Sequence, residues 1–100
     1  MSEPSDVRVV HEPEQHRYAA YLDGALAGFT VYELGEEPDA PVVFVHTEVD
    51  DAFGGRGVGS AIARGALDDV RATGRGVVPQ CPFIRSWIDK HPAYADLVVG

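Results

Sequence analysis

The stretch Gly54-Gly55-Arg56-Gly57-Val58-Gly59-Ser60 stands between an apolar β-like run, Val42-Val43-Phe44-Val45, and a segment of helical periodicity. A chain that turns through glycines directly into a helix leaves the first-turn N–H groups unpaired, aimed outward at the positive end of the helix dipole. Such a corner binds phosphate or pyrophosphate without a charged side chain. It also imposes a local order of strand, glycine turn and helix, and a strand following that helix pairs parallel to the first. Two familiar phosphate motifs are excluded. A dinucleotide fingerprint requires a third glycine where Ser60 stands and an acid about twenty residues further on. A Walker loop requires Gly-Lys-Ser/Thr, which is absent.

The remaining elements follow from periodicity and turn chemistry. Val58, Ile62, Ala63, Ala66, Leu67 and Val70 recur at three- and four-residue intervals and predict a helix over Val58–Thr73. Arg71 suits its negative end and Gly74 a left-handed cap. Upstream, strands are expected over Val7–His11, Arg17–Leu22 and Leu26–Leu34, with a turn at Glu12–Gln15 and a hairpin at Asp23-Gly24. The run Val42–Val45 reads as a fourth strand buried on both faces. Val77-Val78 is a brief fifth strand, and Cys81-Pro82 opens a second helix whose apolar stripe is Phe83, Ile84, Trp87 and Ile88. Phe83, Trp87 and Tyr94 are expected in the core, and His91-Pro92 ends the helix. The expected architecture is a single α/β (α+β) domain over residues 1–100. Its mixed sheet of about five strands is antiparallel on the N-terminal side, with two C-terminal helices and none between the first two strands.

The net charge of −8 argues against a nucleic-acid partner. Its distribution is uneven: residues 1–53 hold twelve acids and two basic residues, residues 54–100 four acids and six basic ones. This is either a solvated acidic surface or a division in which the basic half holds an anionic ligand and the acidic half receives a cation. No apolar run approaches the ~18 residues of a membrane span. With one cysteine and no zinc-type spacing, neither an internal disulfide nor a metal site is expected, and the chain reads as cytoplasmic.

The glycine stretch, Asp23-Gly24, His46-Thr47-Glu48-Val49, Cys81-Pro82-Phe83-Ile84, Trp87-Ile88 and His91-Pro92-Ala93-Tyr94 together resemble the GNAT acetyltransferase superfamily, in particular its short single-domain N-acetyltransferase-like subgroup. The resemblance implies a GNAT-type fold, acetyl-CoA or coenzyme A as cofactor, and transfer of an acetyl group to an amine. It implies that Gly54, Gly55, Arg56, Gly57, Val58, Gly59 and Ser60 hold the pyrophosphate and that the backbone of Val49, at the end of the fourth strand, meets the pantetheine arm. Three positions depart from the superfamily pattern. Gly54 replaces the usual loop Arg or Gln, Val42-Val43-Phe44 occupy the region of a strand carboxylate, and Ile88 stands where a helix tyrosine aligns.

Acetyl transfer needs a neutral amine, a polarised carbonyl and a proton for the leaving thiolate. The candidates are Cys81, with His46, Glu48, His91 and Tyr94 as proton carriers. Cys81, at a strand end and a helix start, is either a small buried apolar residue or a nucleophile that takes the acetyl group first. Only Glu12–His16 joins the first two strands, so the acceptor side is open and suits a protein or polyamine-like amine. Glu48, Asp50 and Asp51 are either strand-end solvation or a rim that draws in that amine. The alternative is a non-catalytic CoA-binding or interaction module of the same fold.

Overall fold

The computed structural model describes residues 7–53 and 57–99. Strands β1 (Val7–Glu12), β2 (Arg17–Leu22), β3 (Ala25–Leu34) and β4 (Val42–Val49) run as an antiparallel meander. Helix α1 (Val58–Thr73) then crosses to β5 (Val77–Pro79), which is followed by α2 (Pro82–Asp89). The sheet order is β1-β2-β3-β4-β5, with β5 parallel to β4 as the crossover requires. Short 3₁₀ turns occupy Pro13–Gln15, Asp51–Phe53 and Pro92–Leu97.

Local chemistry explains most of these boundaries. Asp23 and Gly24 both have positive φ, 53° and 84°, the pair of left-handed residues that a two-residue hairpin needs to match strand twist. Gly74, at φ 80°, ends α1 by donating its N–H to the Arg71 carbonyl at 3.1 Å. Pro82 opens α2, where its missing N–H costs nothing.

The expected apolar face of α1 is the face that is buried: Val58, Ile62, Ala63, Ala66, Leu67 and Val70. The main core joins it to Tyr18, Tyr32, Val42, Phe44, Val77, Ile84, Trp87, Ile88 and Leu97, and a smaller cluster gathers Ala20, Leu22 and Ala27 around Val58 and Ile62. Phe44 is fully buried, its ring centred 6.3 Å from Tyr18 and 6.2 Å from Tyr32.

The fourth strand ends at Val49, where the resemblance puts its end, because His46-Thr47-Glu48-Val49 keeps pairing with β3 through its backbone, Gly28 standing opposite Val49. It differs from expectation in not being buried on both faces: Val42 and Phe44 are covered while Val43 and Val45 remain half-buried. No described element covers the face on which those two lie, so alternation sorts β4 into a wet and a dry side. The β3–β4 register shifts once, with Val31 opposite His46 and Tyr32 opposite Phe44, which leaves Val45 as an extra bulged residue.

That bulge coincides with a fork. β4 pairs with β5 only from Val42 to Phe44, and the Cys81 N–H closes the pairing on the Phe44 carbonyl at 2.8 Å. Beyond it, β4 has no strand partner on that side among the described residues. The opening lies between β4 and the start of α2.

Candidate functional site

Cys81 sits at the apex of this fork, as the residue before α2, and is buried with 2% of its surface exposed. Its thiol meets the Thr47 hydroxyl at 3.1 Å, and Thr47 meets the fully buried Thr30 hydroxyl at 2.9 Å. Thr30 donates to the His46 carbonyl at 3.2 Å. A carbonyl only accepts, so the chain has a direction. With its own proton on His46, Thr30 accepts from Thr47, and Thr47 in turn accepts from the Cys81 thiol.

His46 and Glu48 come together away from Cys81. The His46 Nε2 lies 2.8 Å from the Glu48 Oε2, both side chains more than half exposed, and the His46 ring tilts against Phe29 at 6.5 Å. Neither hydrogen-bonds to Cys81; the intervening Thr47 does, because residues 46 and 48 alternate with 47 across the strand. Glu48 lines a surface groove of about 280 Å³ with Leu26, Phe29, Val49 and Asp50, at the open end of β3 and β4. Asp50 also accepts the Ala52 N–H at 2.9 Å, and Asp51 is exposed in the turn that follows. Val49, expected to meet the pantetheine arm, ends β4 at this groove.

Gly54, Gly55 and Arg56 lie outside the described residues. From Gly57 onward the corner has the required form. Gly57 is left-handed at φ 77°, a conformation that favours glycine, and among the described residues no side chain caps α1. The first-turn N–H groups of the helix are therefore left for solvent or an anion. Val58 is buried beneath and Ser60 faces outward.

Phe83 departs from its expected core position. It is 38% exposed and its ring lies over Gly59, where a Cβ would come within 2.8 Å of the ring edge. Trp87 is buried, with its indole N–H donated to the Ser60 hydroxyl at 3.0 Å. Both contacts tie α2 to the first turn of α1. His91 and Tyr94, considered as proton carriers, have structural partners: His91 stacks on Trp87 at 3.8 Å with Nδ1 2.7 Å from the Trp87 carbonyl, and Tyr94 donates to Asp68 at 2.8 Å. Burial, then the bond to Asp68, raises the Tyr94 phenol above its usual range.

A second polar cluster lies on β1–β3 and the C-terminal half of α1. Tyr18 donates to Asp69 at 2.6 Å, and His11 stacks on Tyr18 with its Nε2 2.6 Å from the Tyr32 hydroxyl. Burial, followed by the neighbouring Asp69, pushes the Tyr18 phenol far above its ordinary value, and burial raises Tyr32 as well.

A meander continued through a glycine-opened helix into a parallel strand that parts from its neighbour is the architecture of one acyltransferase class. The chain belongs to the GCN5-related N-acetyltransferase family, whose model matches residues 17–97. Among curated proteins it is similar to Protein NATD1 of Xenopus tropicalis, 30% identical over 94 residues that span 92% of this chain and 84% of that one. The Mus musculus protein of the same name is 30% identical over 88 residues, 86% of this chain and 77% of its own. Among solved structures, a GCN5-like protein of Staphylococcus aureus shares the fold with a TM-score of 0.69 at 18% identity, over 96% of this chain and 91% of that one. A ribosomal-protein-alanine N-acetyltransferase of Brucella melitensis matches with a TM-score of 0.57 at 22% identity, over 84% of this chain and 63% of its own. The mixed five-stranded sheet and the two helices after its core match this class, as expected from the sequence.

Proposed function

We propose that this chain is an acetyl-CoA-dependent N-acetyltransferase that acylates an amine, with Cys81 as the first acceptor of the acetyl group. The observation that carries this reading is the fork: a strand edge that no described residue pairs beyond Phe44, with a helix N-terminus that no described side chain caps at one end and a thiol at its apex. These features fit the cofactor's parts. The N–H groups of Gly59 and Ser60 suit a pyrophosphate, and the β4 backbone beyond the bulge offers hydrogen bonds to an amide-bearing arm. The cofactor supplies an activated acetyl thioester.

In the first step a bond forms between the Cys81 sulfur and the acetyl carbon, the thioester C–S bond breaks, and the Cys81 proton passes to the departing sulfur. In the second step the amine nitrogen bonds to that carbon, the Cys81 S–C bond breaks, and an amine proton restores the thiol. Before it reaches the acyl group, an amine drawn to the groove beside Phe29, where Glu48 and Asp50 favour a cation, would give up its extra proton to the exposed His46–Glu48 pair.

The burial of Cys81 and the exposure of His46 favour a second reading, direct transfer with His46 as the base. Incubation with acetyl-labelled acetyl-CoA separates the two. Label held by the wild-type chain and lost in Cys81→Ala supports the covalent route, whereas equal turnover by both, abolished in His46→Ala, supports direct transfer. Absence of any CoA-dependent rise in melting temperature at excess ligand overturns both and leaves an interaction module, since a ligand that binds the native state must stabilise it.

A further inference from the structure

The geometry points to Trp87 as a positioning residue that holds Ser60 and Arg64 as a paired contact for the phosphate-bearing end of an acyl-CoA. This deepens the acyl-CoA reading above and rests on it. The loop position at which the superfamily usually carries Arg or Gln is Gly54 here, which removes one expected side-chain contact and leaves Arg56, outside the described residues, as the nearest loop cation. Ser60 and Arg64 are four residues apart and so share one face of α1, the face turned toward Trp87.

Trp87 touches both. Its indole N–H is a donor only, so the Ser60 oxygen accepts it at 3.0 Å and keeps its own proton for another partner. Its ring face carries the Arg64 guanidinium 5.5 Å from the centroid, an attraction that holds the cation in place, and the Tyr94 hydroxyl engages one side of the same guanidinium, whose five N–H donors leave others for a ligand. Arg64 forms no ion pair among the described residues, and Ser60 and Arg64 are both exposed while Trp87 is buried. A buried aromatic thus fixes one hydroxyl donor in the first turn of α1, beside its free N–H groups, and one cation a turn further on. That combination recognises a phosphate diester or monoester better than it recognises an uncharged arm.

Trp87 is itself fixed. His91 stacks on one side at 3.8 Å and Tyr94 meets it edge-on at 5.0 Å, so the indole has little freedom to turn. The same short helix begins beside Cys81, which places the two ends of a bound acyl-CoA under the control of one eight-residue element.

The test compares CoA with pantetheine, which shares the arm but has no phosphate, in NMR titrations that read the Ala61 and Ile62 amides. Trp87→Phe keeps the ring and removes the N–H; Ser60→Ala and Arg64→Met alter exposed positions that a stable core tolerates. Each variant is expected to weaken CoA roughly 3- to 10-fold, the size of one hydrogen bond or one cation contact, and to leave pantetheine unchanged. Because Trp87 acts through Ser60, the double variant Ser60→Ala/Trp87→Phe should bind CoA about as weakly as Ser60→Ala alone. Equal losses for CoA and pantetheine in Trp87→Phe, or no loss in Ser60→Ala, would overturn the inference. Failure of the wild-type chain to bind CoA at all would instead remove the reading beneath it.

Discussion

Replacement of Gly28 by alanine tests the packing that positions the mouth of the fork. A methyl at this position comes within 2.7 Å of the Glu48 carbonyl oxygen, 3.1 Å of the Val49 Cα and 3.2 Å of the Ile62 Cδ1. The first two neighbours are backbone of the strand to which Gly28 is paired, and they cannot rotate aside. Overpacking of this kind costs about 1–3 kcal/mol. The stiffer unfolded chain returns about 0.4–1 kcal/mol of that, leaving a net loss of about 1–2 kcal/mol. For a domain near one hundred residues each kcal/mol moves the melting temperature by about 4–8 °C, so Gly28→Ala should melt roughly 5–15 °C below wild type. Thermal and urea unfolding followed by circular dichroism measures this directly. Ile62→Val relieves only the 3.2 Å contact, so the double variant should show no rescue. A melting temperature at or above wild type, or recovery in the Ile62→Val background, would refute the argument that backbone contact sets the cost.

Three further outcomes follow from the hydrogen-bond chains. Thr47→Val strips Cys81 of its acceptor and Thr30 of its donor while keeping the side-chain shape, which should lower the urea-derived stability by about 1 kcal/mol, with Thr47→Ser nearer wild type. Glu12 accepts from Tyr21 and from Arg17, both at 2.6 Å, and these bonds, Tyr21 first, hold its carboxyl below the usual value. A depressed folded value stabilises the protein above the unfolded pKa of about 4.3, and that stability is lost as pH falls through the folded value. Glu12→Gln should therefore flatten the acid side of a stability–pH curve. The Tyr18 phenol is raised, first by burial and then by Asp69, so its contribution is complete below the unfolded pKa of about 10 and declines as pH climbs above it. Tyr18→Phe should lessen the alkaline loss of stability while costing about 1–2 kcal/mol at neutral pH through the lost bond to Asp69.

Much of the frame is legible in the chain because local chemistry and tertiary packing agree there. The six residues of the α1 stripe are the six that are buried, and Asp23-Gly24 and Gly74 adopt the positive φ values that their turn chemistry implies. By hydrophobic pattern the fourth strand was legible only as far as its apolar half, and the family resemblance carried it to Val49. His46, Thr47 and Glu48 look like a polar strand exit, yet backbone pairing to β3 continues through them at little cost, because their outward face is wet and their inward one ends on hydroxyls. Phe83 followed the helix period but is held out of the core by its place over Gly59. Of the candidate site, the glycine corner and Cys81 carry local signals. The contact between Thr47 and Cys81 spans 34 residues and the one between Ser60 and Trp87 spans 27. The first exists only once α2 starts beside β4 and the second only once α2 packs on α1, and neither leaves a periodic or spacing signal.

The three-residue pairing of β4 with β5 places an open strand edge inside a sheet rather than at its rim. An edge at a rim can be shielded with charge or proline, but shielding this one would block the extended arm of the proposed acyl-CoA. In solvent exchange, the protein without a ligand should therefore behave as two regions joined by one strand. The half of β4 at Val42–Phe44 is locked from both sides, whereas the half at His46–Val49 is braced only by β3, and a bound arm would act there as the missing neighbour.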